Sequence, residues 1–201
     1  MLTRAVNALP KFLSALLLAV SWNDVFASTV VEVGKILPPI SIIQGGQVVI
    51  ERDGYRVAPW SGPRDLGLIQ VIQYVPGTRR GGGLYDPLTE RMRLELEFAR
   101  YRITAIVNLE AAATFAKPFV RATVVDKQRA FSLATLVLDE AGTGQAGWDL
   151  TEQSAFIVTD ASGLVIDAIF GEPSDNDAAR IFQTLKSLLK SNSPHQPARP
   201  R

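Results

Sequence analysis

An apolar strand, an amphipathic helix and a second apolar strand follow one another between positions 68 and 108, and this pattern constrains the fold most strongly. Leu68 to Val75 is nearly continuous in apolar and β-branched residues, which is typical of a strand covered on both faces. Apolar residues then recur at helical spacing from Leu88 to Ala99, and Ile103 to Asn108 is again a buried strand. We therefore expect a β-α-β unit whose strands are parallel.

The rest of the chain adds further strands and helices. Residues 28–46 predict an extended lead-in, and Ser174 and Asp177 have the spacing of a capping box before a final helix from about Asp175 to Lys190. Between the lead-in and the final helix we expect an edge hairpin over Gln47 to Trp60 and a mostly helical segment over Ala111 to Ala130. We then expect a short strand over Leu133 to Leu138, a loop over Asp139 to Leu150 and a second hairpin over Ser154 to Gly171. The predicted class is α/β, with a central mixed sheet flanked by helices in three layers.

The N-terminal segment, positions 1–27, has the composition of a secretory signal peptide. Arg4 and Lys11 form a positive n-region, Phe12 to Val20 is a short apolar core, and Val25 and Ala27 occupy the small-residue positions of a cleavage site. A membrane-spanning helix needs about 20 apolar residues. We therefore expect export with cleavage after Ala27 and no stable membrane span afterwards, with an uncleaved anchor as the alternative.

Charge argues against nucleic-acid binding. The chain has 21 basic and 20 acidic side chains, and cleavage after Ala27 would remove two of the former and one of the latter, which leaves a neutral protein. DNA binding requires a basic face that releases counterions, which a neutral chain does not suggest. We expect no nucleic-acid partner, and a single domain over positions 28–190 followed by a disordered, Pro-rich tail over positions 191–201.

Cysteine is absent from the whole chain, and the only histidine is His195 in that tail. Thiol redox catalysis, disulfide bonds and cysteine metal sites are therefore excluded together. A zinc site or a histidine-based triad would require the tail to dock elsewhere on the protein. We expect neither a metal site nor a cofactor.

Several segments, taken in order, resemble the YtfJ family of exported bacterial proteins. They are LPPISI after the signal peptide, VIQYVPGTRR at the turn after the first buried strand, ITAIVN on the second strand, QSAFIVTDASGLV in the later hairpin, and the capped final helix. The likeness runs from about Gly34 to Lys190. It implies a periplasmic protein with a thioredoxin-like fold, which the order of predicted elements also favours, and it implies no reaction because the family has no settled one.

Thioredoxin catalysis depends on two features that can be compared with this chain. The C-x-x-C motif of that fold follows the first core strand at a helix N-terminus, and here those positions are Pro76-Gly77-Thr78-Arg79-Arg80. A cis-proline that faces the motif precedes the penultimate strand, and here those positions are Glu152-Gln153-Ser154. Disulfide exchange and peroxide reduction are therefore excluded.

The turn after the first core strand is the first candidate binding site. Backbone N–H groups at a helix start favour an anion, and an adjacent arginine adds bidentate hydrogen bonds. Gly77, Thr78, Arg79 and Arg80 therefore predict a site for a carboxylate or a phosphate. The alternative is that both arginines are solvated charges on a mobile, glycine-rich loop.

A tryptophan near the same turn is the second candidate. Trp148 lies on a loop that leads to Gln153 and Ser154, which the thioredoxin topology brings close to the turn. It predicts either an aromatic wall for a ligand or partner, or a plug that anchors the loop.

An acidic group and a sheet edge complete the candidates. Asp139-Glu140, with Asp126 or Asp149, predicts either acid/base chemistry or calcium binding, or simply solvated carboxylates after a strand. The hairpin Gln47 to Trp60 either accepts a partner strand at its edge or is protected from pairing by its arginines and proline.

The resulting hypothesis is a redox-inactive thioredoxin-like module that binds a protein or a small anionic ligand in the periplasm through Pro76 to Gly83 and Thr151 to Ser154. The alternative is a cysteine-free enzyme acting on a small anionic substrate at the same turn, with a lysine such as Lys117 or Lys127 as its base. A closed polar pocket with a buried carboxylate or lysine beside Arg79 would favour the enzyme.

Overall fold

The computed structural model describes residues 30–63 and 67–191. The predicted signal peptide and its cleavage site, and the tail beyond Ser191, lie outside the described residues. Within the described part, no helix is both long enough and apolar enough to cross a membrane.

Residues 30–63 and 67–191 contain seven strands and four α-helices, and the strands form one sheet. In chain order the elements are β1 Ile40–Glu51, β2 Gly54–Gly62, β3 Ile69–Pro76, α1 Asp86–Glu95, β4 Tyr101–Asn108, α2 Lys117–Ala130, β5 Thr135–Asp139, α3 Thr143–Gly147, β6 Ala155–Thr159, β7 Val165–Phe170 and α4 Asp175–Ser191. Short 3-10 helices cover Gly81–Gly83, Phe98–Arg100 and Thr114–Ala116.

The sheet is mixed, with the strand order β2-β1-β5-β4-β3-β6-β7. Strands β3, β4 and β5 run parallel, as the β-α-β pattern predicts, while β1 pairs antiparallel with β5 and β6 pairs antiparallel with β3. The carboxyl ends of the three parallel strands therefore share one edge, which is where open α/β sheets usually bind ligands.

Apolar side chains fill both faces of the sheet. On β3, Val71 and Val75 face the cluster that holds the buried residues of α1, α2 and α4, and Ile72 and Tyr74 face the opposite cluster, which includes Trp148 just after α3. Fully burying a side chain of this size contributes about 1.5–3 kcal/mol. The predicted three-layer α/β class is confirmed.

Most predicted elements are confirmed, including the edge hairpin formed by β1 and β2, the helical assignment of α2, and the later hairpin formed by β6 and β7. The capping box is also present. The Ser174 hydroxyl donates to Oδ2 of Asp177 at 2.6 Å, and the Asp177 N–H donates to the Ser174 hydroxyl oxygen at 3.2 Å.

Two predicted segments are corrected. The predicted lead-in over residues 28–46 contains the first part of β1. The strand continues through Gly45 and Gly46, because their φ values of +100° and +123° let it pass from one register with β2 to the next. A Cβ at Gly45 would lie 2.1 Å from the carbonyl oxygen of Leu138, so only glycine permits the pairing of β1 with β5. The predicted loop Asp139 to Leu150 contains α3.

Candidate functional site

The turn between β3 and α1 is built around two glycines that have no room for a side chain. A Cβ at Gly77 would lie 2.7 Å from the carbonyl oxygen of Asn108, and one at Gly81 would lie 2.2 Å from that of Pro76. The chain needs this close approach because it leaves the buried strand and turns directly into the 3-10 helix Gly81–Gly83.

Thr78 organises the backbone of this turn. Its side-chain oxygen accepts a hydrogen bond from the Gly81 N–H at 3.1 Å, and its carbonyl accepts one from the Gly82 N–H at 3.0 Å. The Gly77 N–H donates to Asn108 and the Thr78 N–H to Pro76. These four N–H groups are satisfied within the protein, so the prediction that they stand free to bind an anion is wrong for them.

The charged side chains at the turn lie on its outer surface. Arg79 is exposed and forms no ion pair with any described residue, whereas Arg80 pairs with Glu172, after β7. Lys127 of α2 donates to the carbonyl oxygen of Gly82 at 2.9 Å and pairs with Asp86 at 3.3 Å. Hydrogen bonds from α2 and an ion pair to the segment after β7 therefore hold the turn.

Trp148 lies in the core and not on the surface. Its side chain is 0% exposed, its indole N–H donates to the carbonyl oxygen of Pro38 at 2.8 Å, and its ring meets Tyr74 edge to face at 6.3 Å. Of the two alternatives that the sequence left open for Trp148, the structure shows the plug that anchors the loop. A buried ring has no face for a ligand, so Trp148 does not belong to the candidate surface.

The predicted acidic group is dispersed. Asp139 is fully buried and accepts hydrogen bonds from the Tyr74 hydroxyl at 2.9 Å and from the N–H groups of Thr143 and Gly144 at 2.9 and 2.7 Å. Its neighbour Glu140 pairs with Arg121 on the surface at 2.6 Å. The described residues contain no group of three or more histidine, cysteine or carboxylate side chains arranged to hold a metal ion.

Gln153 and Ser154 lie in the segment that precedes β6. Gln153 is exposed with a φ of +57°, whereas Ser154 is buried and its hydroxyl donates to Glu152 at 3.4 Å. The carbonyl of Ser154 accepts from the Gly171 N–H, and the Tyr85 hydroxyl, just before α1, donates to the carbonyl of Gly171 at 2.8 Å. Burial raises the pKa of Tyr85 to about 12. Tyr85 and Gly171 thus connect the turn to the segment that precedes β6.

An open groove of about 540 Å³ lies at the carboxyl end of β4, beside the turn. Its lining residues are Asn108, Glu110, Ala111, Gly142, Gln145, Ala146, Asp149, Leu150, Thr151 and Gln153. The two charged members are the carboxylates Glu110 and Asp149, both exposed, and the lining has no lysine or arginine. The groove is therefore acidic, whereas the sequence predicted an anion site at this end of the sheet.

Asn108 gives the groove its shape, and sequence reasoning identified it only as the end of a strand. Its side-chain amide donates to the side-chain oxygen of Gln145 at 2.8 Å, and its side-chain oxygen accepts from the Glu110 N–H at 2.9 Å. The residue is 1% exposed. Its position at the carboxyl end of a parallel strand is the signal that sequence reasoning had available and did not use.

The enzyme alternative predicted a closed polar pocket with a buried carboxylate or lysine beside Arg79, and the described residues form no such pocket at this edge. Within the described residues, the pocket at this edge is an open groove, and its carboxylates are exposed. The buried carboxylate nearby in the sequence, Asp139, has three internal hydrogen-bond donors. No buried acid or lysine of the described chain pairs with Arg79.

Fold and turn together define a protein of thioredoxin-like fold without a thiol pair, because the chain has no cysteine. A family model described as "bacterial protein of unknown function (YtfJ_HI0045)" matches residues 31–188. The chain belongs to this family. It is 27% identical to the uncharacterized protein YtfJ of Escherichia coli over 161 residues, which cover 79% of this chain and 88% of that protein.

Two further comparisons concern a second relative and the fold. An uncharacterized protein of Haemophilus influenzae is 22% identical over 156 residues, which cover 77% of this chain and 85% of that protein. Among solved structures, a protein from Chlorobium tepidum described as a thiol:disulfide interchange protein DsbE superposes with a TM-score of 0.53 at 12% identity, covering 79% of this chain and 98% of that one. At this identity the likeness shows the thioredoxin-like fold alone.

Proposed function

We propose that this protein is an exported, redox-inactive thioredoxin-like module that binds a polypeptide partner at the carboxyl edge of its parallel strands. The partner surface comprises the groove, together with the exposed residues of the turn Pro76 to Gly83 and of the segment Thr151 to Ser154. The observation that carries the proposal is the open groove of about 540 Å³ beside the turn. A groove of this kind accepts an extended chain segment that a closed pocket would exclude.

The charge of the groove favours a basic segment over the small anion that the sequence predicted. Glu110 and Asp149 line the groove and no cation does. Lys117 approaches Glu110 only at 3.4 Å, so a carboxylate or phosphate in the groove would still meet like charge. Four N–H groups of the turn are engaged inside the protein and Arg80 is paired with Glu172. We therefore expect a partner segment that carries lysine or arginine and binds less tightly as the salt concentration rises.

An exposed aromatic side chain lies on the segment that follows the groove residues Glu110 and Ala111 in the chain. Phe115 is 82% exposed and lies in the segment that leads from the end of β4 to α2. Exposed aromatic residues of this size are enriched at protein interfaces because they bury a large area with few rotatable bonds.

Export is supported by the charged and apolar pattern of the N-terminal segment, positions 1–27. The test is to fractionate cells and sequence the N-terminus of the mature protein. We expect Ser28 as the first residue of a protein released with the periplasmic fraction. A full-length chain that stays with the membrane fraction would establish the uncleaved anchor instead.

The binding proposal is tested by photocrosslinking in intact cells. A photoreactive residue is placed at Gly82, where an added Cβ would have no atom within 4 Å, or at the exposed Thr151. The control position is the exposed Ser132, which lies between α2 and β5 and away from the carboxyl edge. We expect a discrete crosslinked polypeptide from the first two positions and none from the third.

A charge variant tests whether the groove binds that polypeptide. The variant Glu110→Gln/Asp149→Asn removes both carboxylates, and asparagine tolerates the φ of +50° at position 149. The matched control Asp53→Asn/Glu97→Gln makes the same two changes at exposed positions elsewhere. Loss of the crosslink in the groove variant alone supports the proposal, and equal crosslinking by both variants refutes it.

A further inference from the structure

A second cavity, of about 480 Å³, lies between the start of β2 and the outer side of α2, and it has the opposite charge. Its lining residues are Tyr55, Thr114, Lys117, Pro118, Arg121, Ala122, Val125, Asp126 and Arg129. Three of these are cations and one is an acid. The volume suits a small molecule, for which binding cavities typically measure about 300–1,000 Å³.

The three cations keep hydrogen-bond donors available to a ligand. Arg121 and Arg129 each contact their carboxylates, Glu140 at 2.6 Å and Asp126 at 2.8 Å, through a single guanidinium nitrogen. A guanidinium has five N–H donors, so most of them have no partner among the described residues. Lys117 pairs with Glu110 at 3.4 Å, a long contact for a charged hydrogen bond.

These ion pairs are weak enough for an anion to displace. The Arg121 and Lys117 side chains are 31% and 32% exposed, and their partners Glu140 and Glu110 are 36% and 64% exposed. Ion pairs in contact with solvent contribute about 0–1 kcal/mol. A dianion that meets one of these guanidinium groups gains more, because arginine and phosphate form bidentate hydrogen bonds.

The apolar part of the lining indicates what the anion is attached to. Pro118, Ala122 and Val125 present carbon atoms along α2, and the ring of Tyr55 lies across from them on β2. The Tyr55 hydroxyl has no hydrogen-bond partner among the described residues, and the side chain is 40% exposed. The cavity therefore offers an apolar side and a cationic side to one small ligand.

We propose that this cavity binds a small organic phosphate, with the phosphate on the cationic side formed by Lys117, Arg121 and Arg129 and the apolar group against Tyr55 and Pro118. The site is distinct from the polypeptide surface of the proposed function. The sequence predicted anion binding at the turn, and this proposal places it instead on the opposite side of α2.

The experiment titrates the mature protein with phenyl phosphate, with inorganic phosphate as the comparison, and follows backbone amide NMR shifts. We expect saturable shifts that concentrate on residues 117–129 and on Tyr55, with phenyl phosphate binding more tightly than inorganic phosphate. Tyr55→Ala should remove that difference, because it removes the apolar contact and leaves the arginines in place.

Charge variants then identify the residues that bind the phosphate. Arg121→Gln and Arg129→Gln should each weaken binding about tenfold, the effect of losing one charged hydrogen bond. The matched control is Arg93→Gln, because Arg93 pairs with Glu90 three residues away on α1, as Arg129 pairs with Asp126 on α2. We expect this control to bind as the wild type does.

Three results would overturn the proposal. One is the absence of saturable shifts, and another is equal weakening by Arg93→Gln, which would indicate general surface charge. The third is a set of shifts centred on Gly77 to Arg80, which would return the anion site to the turn. Circular dichroism of each variant at the titration temperature confirms that it is folded.

Discussion

The Tyr74 hydroxyl donates a hydrogen bond of 2.9 Å to Oδ2 of Asp139, between two side chains that are both 0% exposed. Tyr74 belongs to β3 and Asp139 ends β5, two strands that are not neighbours in the sheet because β4 lies between them. Asp139 also accepts from the first N–H groups of α3, so this carboxylate joins two strands and a helix beneath the groove. Burial raises the pKa of Tyr74 well above its usual range, and the negative charge of Asp139 is the second cause of this increase.

Removing this carboxylate should destabilise the protein more than removing the hydroxyl. Asp139→Ala leaves the Tyr74 hydroxyl and two N–H groups buried without an acceptor, and we expect a loss of about 3–5 kcal/mol in the free energy of unfolding. Tyr74→Phe removes one hydrogen-bond donor to Asp139 and leaves the other two, so we expect the free energy of unfolding to fall by about 1–2 kcal/mol. Urea denaturation followed by circular dichroism measures both.

A surface carboxylate next in the chain provides the control. Glu140→Gln breaks a partly exposed ion pair with Arg121 and should cost less than about 1 kcal/mol. The double variant Asp139→Ala/Tyr74→Phe should lose less than the sum of the single variants, because both remove the same hydrogen bond. Equal effects of Asp139→Ala and Glu140→Gln would contradict the role assigned to Asp139.

Gly81 and Gly82 should respond very differently to the same substitution. A Cβ at Gly81 would lie 2.2 Å from the Pro76 carbonyl oxygen, so Gly81→Ala should force the turn to shift and cost about 1–3 kcal/mol. Gly82→Ala meets no atom within 4 Å and should change the stability by less than about 1 kcal/mol. Thermal unfolding of the two variants tests this, and similar melting temperatures would refute it.

The strands, the helices and the location of the turn follow from local patterns in the sequence. The apolar runs of β3 and β4, the periodic helix between them and the capping box at Ser174 each act over a few residues, so the pattern alone specifies them. The thioredoxin-like class follows from the order of these elements, and the absent cysteines remove its usual chemistry.

The details of the site depend on contacts between distant residues, which no local pattern encodes. The Gly77 N–H is satisfied by the carbonyl oxygen of Asn108, which is distant in the sequence, whereas Thr78 satisfies Gly81 and Gly82 locally within the turn. Asp139 is buried because its partners come from β3 and α3. The acidic groove is assembled from two separate segments, residues 108–111 and 142–153, so its charge is not apparent in a chain that is close to neutral overall.

The capping box of α4 should contribute a pH-dependent part of the stability. Hydrogen bonds from Ser174 lower the pKa of Asp177, so the stabilising effect is present above the unfolded pKa of about 3.9 and is lost as the pH falls through the lower folded value. Ser174→Ala should cost about 1 kcal/mol at neutral pH. The difference from the wild type should shrink below about pH 4.

A serine in the middle of the same helix is the matched control for this substitution. Ser187 is exposed, and Ser187→Ala should leave the stability unchanged or slightly raised because alanine is the better helix former. Urea denaturation at neutral and acidic pH compares the two variants. A constant difference between Ser174→Ala and the wild type across this pH range would contradict the role of Asp177.

Buried tyrosines should make the protein sensitive to alkali. Burial raises the pKa of Tyr85 and Tyr101 to about 12, against about 10 in an unfolded chain. The folded state holds these protons more tightly, so their stabilising effect is complete below about pH 10 and is lost as the pH rises to about 12. Tyr101→Phe should therefore flatten the alkaline decline in the free energy of unfolding while changing little at neutral pH, because the Tyr101 hydroxyl makes only a long contact of 3.4 Å with Met92. Urea denaturation across the alkaline range tests this, and a decline equal to that of the wild type would show that Tyr101 ionises without unfolding.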